Sequence, residues 1–417
     1  MATHTRWVRR AAAVLAIGVL AAVAAPGAAQ AQTVREAQWY LGFLDVPQAQ
    51  EISNGSGVTV AVVDTGVDAT HPDLAGHVLA GRSFGKFAGM PATQDASGHG
   101  TSMAGIIAAQ GGGEDRTLGV APGVKVLPVR VASNGDNVSP DAAADGIRWA
   151  VDQHAEVINL SFGNNESTPA LVSAIHYAEV HDVVVVGAAG NTDVGIDSIG
   201  APGRLKGVLN ATGVDASGRF WNGSAQGKYA TLSAPAVKIP AATFVKSGES
   251  NYSEGSGTSN AAAIVSGVAA LVRAKYPELN ASNVINRIIK TATDRGPAGW
   301  DPQYGFGIVN PVAALTADVP RVGRDPLGGP VPDPLASSPA PDGGATGDGS
   351  TTPNAAAGRT GGLSGAALAG VVGGGLVLAV AVVVLVVRSR RPEPAQRPAP
   401  WPGGPSVGAP PPPPRRD

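Results

Sequence analysis

Five short stretches of the chain carry residue types that can do chemistry. Asp64 closes the apolar run "VTVAVVD" and is followed by Thr65 and Gly66. An Asp-Thr-Gly at a strand end is half of an aspartic-protease dyad, the orienting carboxylate of a Ser-His-Asp triad, or a plain strand-to-turn junction. The dyad needs a second carboxylate close enough to be pushed neutral. No second Asp-Thr-Gly or Asp-Ser-Gly occurs in the chain. His and Ser partners must therefore come from elsewhere.

Seven histidines stand at positions 4, 71, 77, 99, 154, 176 and 181. His4 belongs to the leader, and His154, His176 and His181 fall within or at the ends of expected helices. His71, Asp73 and His77 form a possible ligand group, but "THPDLAGH" is more simply a turn, and no metal is expected there. His99 differs, because "DASGHGTSMAGIIAA" sets it after a Gly/Ser loop and at the start of a helix of small residues. Two serines share the same local setting, Ser102 beside His99 and Ser259 in "GTSNAAAIVSGVAALVRAKY". A nucleophile wants a Gly-rich approach and a helix N-terminus whose dipole favours developing negative charge. Ser259 has both, whereas Ser102 lies inside the helix that already carries His99 and leaves no space for a substrate. Asn191, in "VVVVGAAGNTD", follows a buried strand at the end where ligands bind open parallel sheets. It reads as an oxyanion donor or, on its own, as a turn former.

The elements that position these residues are legible in outline. "VTVAVV", "VKVLPVRV", "EVINLSF" and "DVVVVGAAG" are continuous apolar runs, as in strands buried on both faces. Helical patterns fall at Gly100–Ala109, Pro140–His154, Thr168–His181, Asn260–Lys275 and Ser282–Thr293. Strand–helix alternation implies an α/β fold with a mainly parallel sheet and helices on both faces. About 285 residues bury a large core without disulfides.

Composition bounds the rest. The 417 residues are 43% hydrophobic and 15% charged, with a formal net charge of -2, so nothing points to nucleic acid. Cys is absent, which excludes a disulfide framework and thiolate metal sites. Arg6, Arg9 and Arg10, the apolar run Ala11 to Ala25 and Ala29-Gln30-Ala31 make residues 1–31 a secretory signal peptide. The globular domain is expected over residues 32–317. Residues 318–362 are a Pro/Gly/Ser-rich tether, whose ends as a coil sit roughly 35–40 Å apart. Leu363 to Val387 is uncharged and long enough for one membrane helix; Arg388, Arg390 and Arg391 behind it keep the Pro-rich tail 388–417, with Pro410 to Pro414, in the cytoplasm. Residues 32–362 are then outside the cell.

Asp-Thr-Gly, His-Gly-Thr, Ala-Ala-Gly-Asn and Gly-Thr-Ser, in that order, resemble the subtilisin family, whose chain order is Asp, His, Ser. "TLGVAPGVKVLPVRV", "INLSFG", "LSAPA" and "YGFGIVNPVAAL" match family segments too, so the likeness covers roughly Gln38 to Leu315. More narrowly the arrangement resembles the mycosins, membrane-anchored subtilases of actinobacterial type VII secretion. They share the signal peptide, a short N-terminal extension such as "AQWYLGFLDVPQAQEISNGSG", a Pro-rich linker and one C-terminal membrane helix. There is no room for a long folded propeptide before the first strand.

The resemblance implies a subtilisin-like three-layer fold and a serine endopeptidase acting on extended polypeptide. Asp64 would orient His99, His99 would take the proton of Ser259, and Asn191 with the Ser259 backbone N–H would bind the oxyanion. Ser161, Phe162 and Gly163 would pair with substrate backbone, and Ala188, Ala189 and Gly190 would wall the first specificity pocket. It also implies a single-pass cell-membrane protein and a link to the type VII secretion machinery.

Some positions depart from the family. Asn260, Ala261, Ala262 and Ala263 follow the serine where Met or Phe, Ala and Pro are usual, and Ser102-Met103 is unusual after His-Gly-Thr. The cysteine pairs of many mycosins are absent. The loop Gln110 to Thr117 lacks the Asn-rich pattern of the common calcium loop, so the sequence gives no support for calcium, which stays open, and no other cofactor is expected. The rival reading is a non-catalytic subtilase-like scaffold of a secretion complex.

Overall fold

A computed structural model of the chain describes residues 32–328, except 96, 134–137, 164–165 and 245–249. The expected signal peptide, the tether from residue 329, the membrane helix and the cytoplasmic tail lie outside the described residues. Among the described residues no helix is long and apolar enough to cross a membrane.

Three short helices open the domain: α1 (Val34–Ala37), α2 (Trp39–Phe43) and α3 (Val46–Ile52). A capping box starts α1, Thr33 accepting from the Glu36 N–H and Glu36 reaching back to the Thr33 N–H. Their apolar residues Tyr40, Leu41, Leu44, Val46 and Ala49 are buried in the main core. The Gln38 amide donates to the Leu118 carbonyl at 3.0 Å and accepts from the Leu118 N–H at 2.8 Å. The extension is thereby laced to the 110–118 loop and built into the domain.

The rest alternates as expected. In chain order come β1 (Thr59–Asp64), β2 (Arg82–Ser83), α4 (His99–Ala108), β3 (Lys125–Arg130), α5 (Pro140–Asp152), β4 (Val157–Leu160), α6 (Pro169–Val180) and β5 (Val184–Ala188). Then follow β6 (Val208–Val214), β7 (Leu232–Pro235), β8 (Ile239–Ala242), β9 (Tyr252–Gly255), α7 (Thr258–Lys275), α8 (Ala281–Lys290) and α9 (Pro311–Thr316). Strands β1 to β7 form one sheet in the order β2-β3-β1-β4-β5-β6-β7, every pairing parallel. Strands β8 and β9 form a separate antiparallel hairpin. Helices α5 and α6 begin Ser-Pro and Thr-Pro, a side-chain cap followed by a residue already fixed for the first turn.

Side-chain alternation sorts the core into two layers. Val60 and Val62 of β1 face α4, α7 and the N-terminal helices, while Ala61 and Val63 face α5 and α6. Asp64 has the parity of Val60 and Val62. Its carboxylate therefore emerges on the face that α4 covers, at the C-terminal end of the strand. The strand order reverses between β1 and β4, which opens a crevice at their C-terminal ends.

Residues 318–328, the first part of the Pro/Gly-rich stretch, lie along α8. Asn283 accepts from the Val322 N–H at 2.8 Å, and the Asn286 amide donates to the Pro320 carbonyl at 3.2 Å.

Candidate active site

Helix α4 begins at His99 and has Gly98 as its N-cap, in a left-handed conformation and with no capping side chain. The fold brings the helix end hard against the turn after β1. A Cβ at Gly100 would run into the Gly66 carbonyl and lie 3.2 Å from the Asp64 Cβ. The His-Gly-Thr spacing is thus a packing requirement: histidine first, then a residue with no side chain. His99 Nδ1 lies 2.8 Å from Asp64 Oδ1 and 3.0 Å from Oδ2. Asp64 is buried, and its Oδ1 also accepts from the Thr65 N–H at 2.8 Å. The carboxylate thus fixes the ring and the tautomer, with the proton on Nδ1.

Ser259 sits in the first turn of α7, the longest helix among the described residues and an almost wholly buried one. Its Oγ donates to the Ser161 carbonyl at 2.9 Å, and the Ser161 hydroxyl donates to the Ser259 carbonyl at 3.0 Å. The turn that carries Ser259 is thus tied to the end of β4. His99, Ser259, Ser161 and Asn191 all line one cleft of about 760 Å³. Ser102 lines the same cleft, but its hydroxyl is within reach of the Gly98 carbonyl (2.9 Å) and the Ala242 carbonyl (2.7 Å). It is a helix-turn hydroxyl bonded to backbone.

Asn191 Oδ1 accepts from the Thr258 N–H at 2.9 Å and the Thr258 hydroxyl at 3.0 Å. A backbone N–H demands an acceptor, so the oxygen faces Thr258 and the amide NH2 forms the other end. The Thr258 hydroxyl in turn accepts from the Gly190 N–H at 3.0 Å. Asn191 therefore caps α7 from outside the helix, which has no side-chain cap of its own. The Ser259 N–H is among the first-turn donors that the helix cannot satisfy itself. An amide NH2 and a backbone N–H beside the serine suit an oxygen that gains negative charge.

The other expected residues fall around this centre. Ser161, Phe162, Gly163, Ala188 and Gly190 line the cleft. Gly163 and Gly190 lie close together in its lining, a Cβ on the first falling 3.6 Å from the Cα of the second. Gly190 has φ +102, and a Cβ there would press on Ile196. Ala189 departs from the expectation: it is fully buried behind the wall with Ile196, Ile199, Ala225 and Ala230, because side chains alternate along the strand end. Beyond the serine, the Asn260 amide donates to the Gly255 carbonyl at 3.2 Å and so ties the end of β9 to α7. That is what the asparagine does in place of an apolar side chain.

His71 and Asp73 form a structural joint, while the His77 ring donates to the Val124 carbonyl at 3.2 Å. Among the described residues no three His, Asp or Glu are grouped as metal ligands. His71 is fully buried; its Nδ1 accepts from the Asp73 N–H at 3.1 Å and its Nε2 donates to the Asn251 carbonyl at 3.0 Å. Asp73 accepts from the Thr117 N–H and hydroxyl at 3.0 and 2.7 Å and from the Tyr252 hydroxyl at 3.2 Å. Burial, and then the Asp73 carboxylate beside it, push the Tyr252 phenol far above its ordinary range. Sequence reasoning missed Thr65, Asp95 and Thr258, whose hydroxyl and carboxylate groups hold the two site helices in place. Their only signal was adjacency to the motifs.

A parallel seven-stranded sheet with an Asp-His pair and a serine at its switch-point crevice defines a protease-like α/β architecture. Residues 55–307 match the model of the subtilase family, Peptidase S8, and the chain belongs to that family. It is a subtilisin-like serine endopeptidase by membership. It is 36% identical over 273 residues to a thermostable alkaline protease of Halalkalibacterium halodurans, covering 65% of this chain and 72% of that protein. It is similar to the crystal structure of fervidolysin from Fervidobacterium pennivorans, a keratinolytic enzyme (TM-score 0.61, 32% identity), over 68% of this chain and only 46% of that one. It is also similar to the MycP3 protease from the type VII (ESX-3) secretion system (TM-score 0.57, 30% identity), over 70% of this chain and 90% of that one.

Proposed function

We propose that Asp64, His99 and Ser259 form the catalytic triad of a membrane-anchored, extracytoplasmic endopeptidase, and that this enzyme serves a type VII secretion system. The observation that carries the triad is the 2.8 Å contact between His99 Nδ1 and a buried Asp64, in the same cleft as a serine at a helix N-terminus. His99 Nε2 takes the Ser259 proton as Oγ attacks the peptide carbonyl, then gives it to the leaving amine. The Asn191 NH2 and Ser259 N–H hold the oxyanion. Ser161, Phe162 and Gly163 receive an extended segment by backbone pairing, and Ala188 and Gly190 wall the first specificity pocket. No cofactor takes part in this scheme.

The secretion role rests on the similarity to MycP3 and on the order of segments in the chain. Residues 1–31 act as the signal peptide, residues 32–317 as the protease domain, and the stretch that follows to residue 362 as the tether. Leu363 to Val387 acts as the anchor, with the tail in the cytoplasm. The substrate is an exported protein.

A fluorophosphonate probe tests the triad directly. The wild-type protein is expected to label on Ser259, Ser259→Ala to lose both labelling and hydrolysis, and Ser102→Ala to keep measurable activity. Labelling that persists in Ser259→Ala refutes the assignment, and a wild-type protein that never labels supports the scaffold reading.

A further inference from the structure

The helix that carries His99 starts without a cap of its own, yet its first N–H groups are bonded. They are taken up by three side chains outside the helix, the first being Ser97, whose Oγ accepts from the His99 N–H at 3.3 Å. Asp95 Oδ2 accepts from the Thr101 N–H at 2.8 Å and from the Thr101 hydroxyl at 2.6 Å. Asp95 Oδ1 accepts from the Thr65 hydroxyl at 2.7 Å and from the Ser97 N–H at 3.0 Å. The Thr65 oxygen then accepts from the Gly100 N–H at 3.0 Å, and the Thr101 oxygen from the Asp68 N–H at 2.9 Å. One carboxylate thus joins the residue after Asp64 to the residues after His99.

The consequence is geometric. Asp64 is the last residue of β1 and Thr65 the next; His99 and Gly100 are the first two residues of α4. Two contacts from the 34 residues between them hold the carboxylate near the imidazole: the Gly66 carbonyl packed on Gly100, and the Thr65–Asp95–Thr101 bridge. All four bonds to Asp95 are 3.0 Å or shorter, and each involves a charged acceptor, the stronger kind of hydrogen bond. The charge also sits at the positive end of the α4 dipole, beside the histidine that must become cationic during the reaction.

We propose that Asp95 is a positioning residue for the Asp64–His99 pair: it sets their separation through Thr65 and Thr101, and its charge favours the imidazolium form of His99. The inference rests on the triad reading above.

The test is Asp95→Asn in the full chain, with sites counted by fluorophosphonate labelling and kcat and KM measured per labelled site on a peptide substrate across pH. The amide keeps the volume but loses the charge, and one of its two ends no longer accepts. Expected are a fall in kcat of about 10- to 100-fold with KM nearly unchanged, since small misplacements of a catalytic group act at that scale. The acidic limb of kcat/KM is expected to move to lower pH by a few tenths of a unit. Loss of a negative charge makes the imidazolium harder to form, so His99 becomes the free base at lower pH. A second variant, Thr65→Val, removes the bridge and keeps the charge: kcat falls and the limb stays. A wild-type kcat per labelled site with an unmoved limb in Asp95→Asn overturns the proposal. So does a wild-type kcat in Thr65→Val, which stands even where the Asp95 variant folds poorly. Absence of labelling in the unmutated protein would instead defeat the triad reading.

Discussion

Removing the Asn191 side chain separates two effects that the structure places on one amide. Asn191→Ala deletes the NH2 that faces the cleft and the Oδ1 that accepts from the Thr258 N–H and hydroxyl at 2.9 and 3.0 Å. The lost acceptor is a stability effect. Asn191 is only half-buried, so water replaces part of the two bonds, and about 1 kcal/mol or a fall in Tm of about 2 °C is expected. The lost NH2 is a rate effect. It would meet the substrate oxygen fully only when charge has developed there, so the transition state loses and the ground state does not. For the oxyanion asparagine of subtilisin itself the loss is about 10²–10³ in kcat, or roughly 3–4 kcal/mol. The same fall is expected here, with KM nearly unchanged where chemistry limits turnover. Asn191→Asp keeps the two bonds from Thr258 and puts an oxygen where the NH2 was, so it should fold well and be at least as slow. Stopped assays on a peptide substrate, corrected for labelled sites, give both constants; a thermal melt gives the other half. If Asn191→Gly folds and runs near the wild-type rate, the amide only shapes the turn after Gly190 and the oxyanion reasoning is refuted.

The remaining expectations concern topology and pH. A reporter fused after Asp417 is expected to be active only in the cytoplasm, and a chain ending near Gly362 to be released as soluble protease; retention of that truncated chain in the membrane would refute the topology. Burial raises the carboxyl of Glu179, and its Oε1 has no hydrogen-bond partner. A raised folded value means the fold prefers the protonated acid, so stability is present below the ordinary carboxyl range and is lost as pH rises through the raised value. Glu179→Gln is therefore expected to melt about 2 °C higher than wild type at neutral pH, with the two curves meeting near about pH 4. A variant that melts lower at neutral pH would show that the charge is paired well enough to stabilise.

The sheet was legible where both faces are apolar. β1, β3, β4 and β5 read directly from runs such as "VTVAVV", and the five long helices fell within a few residues of their observed ends. β6 and β7 did not, because buried Asn210, Thr212 and Ser233 interrupt "VLNATGV" and "LSAP"; the Thr212 hydroxyl donates to the Gln303 carbonyl, and the Asn210 amide lies against Gly203. The three N-terminal helices and α9 are too short for their apolar residues to show a period, and β2 has only two residues. Within the site, Asp64, His99, Asn191 and Ser259 stood out because glycines beside them signal close approach of backbone. Asp95 did not, since its meaning lies in a bond to Thr65, 30 residues away. Ala189 was misplaced because three consecutive small residues give no hint of which one turns inward.

Helix α7 has a consequence for how this enzyme dies. It runs for 18 residues, roughly 27 Å, through the core that unites β4 to β7, α4 and α9, and nearly every side chain on it is buried. Amides in such an element exchange with solvent only when the whole domain opens. The serine is mounted on the first turn of that element, which Asn191 and Ser161 tie to the strand ends, so fraying there is opposed. Heating should therefore leave turnover intact until the cooperative transition and then remove both together, which makes residual activity a direct count of native molecules.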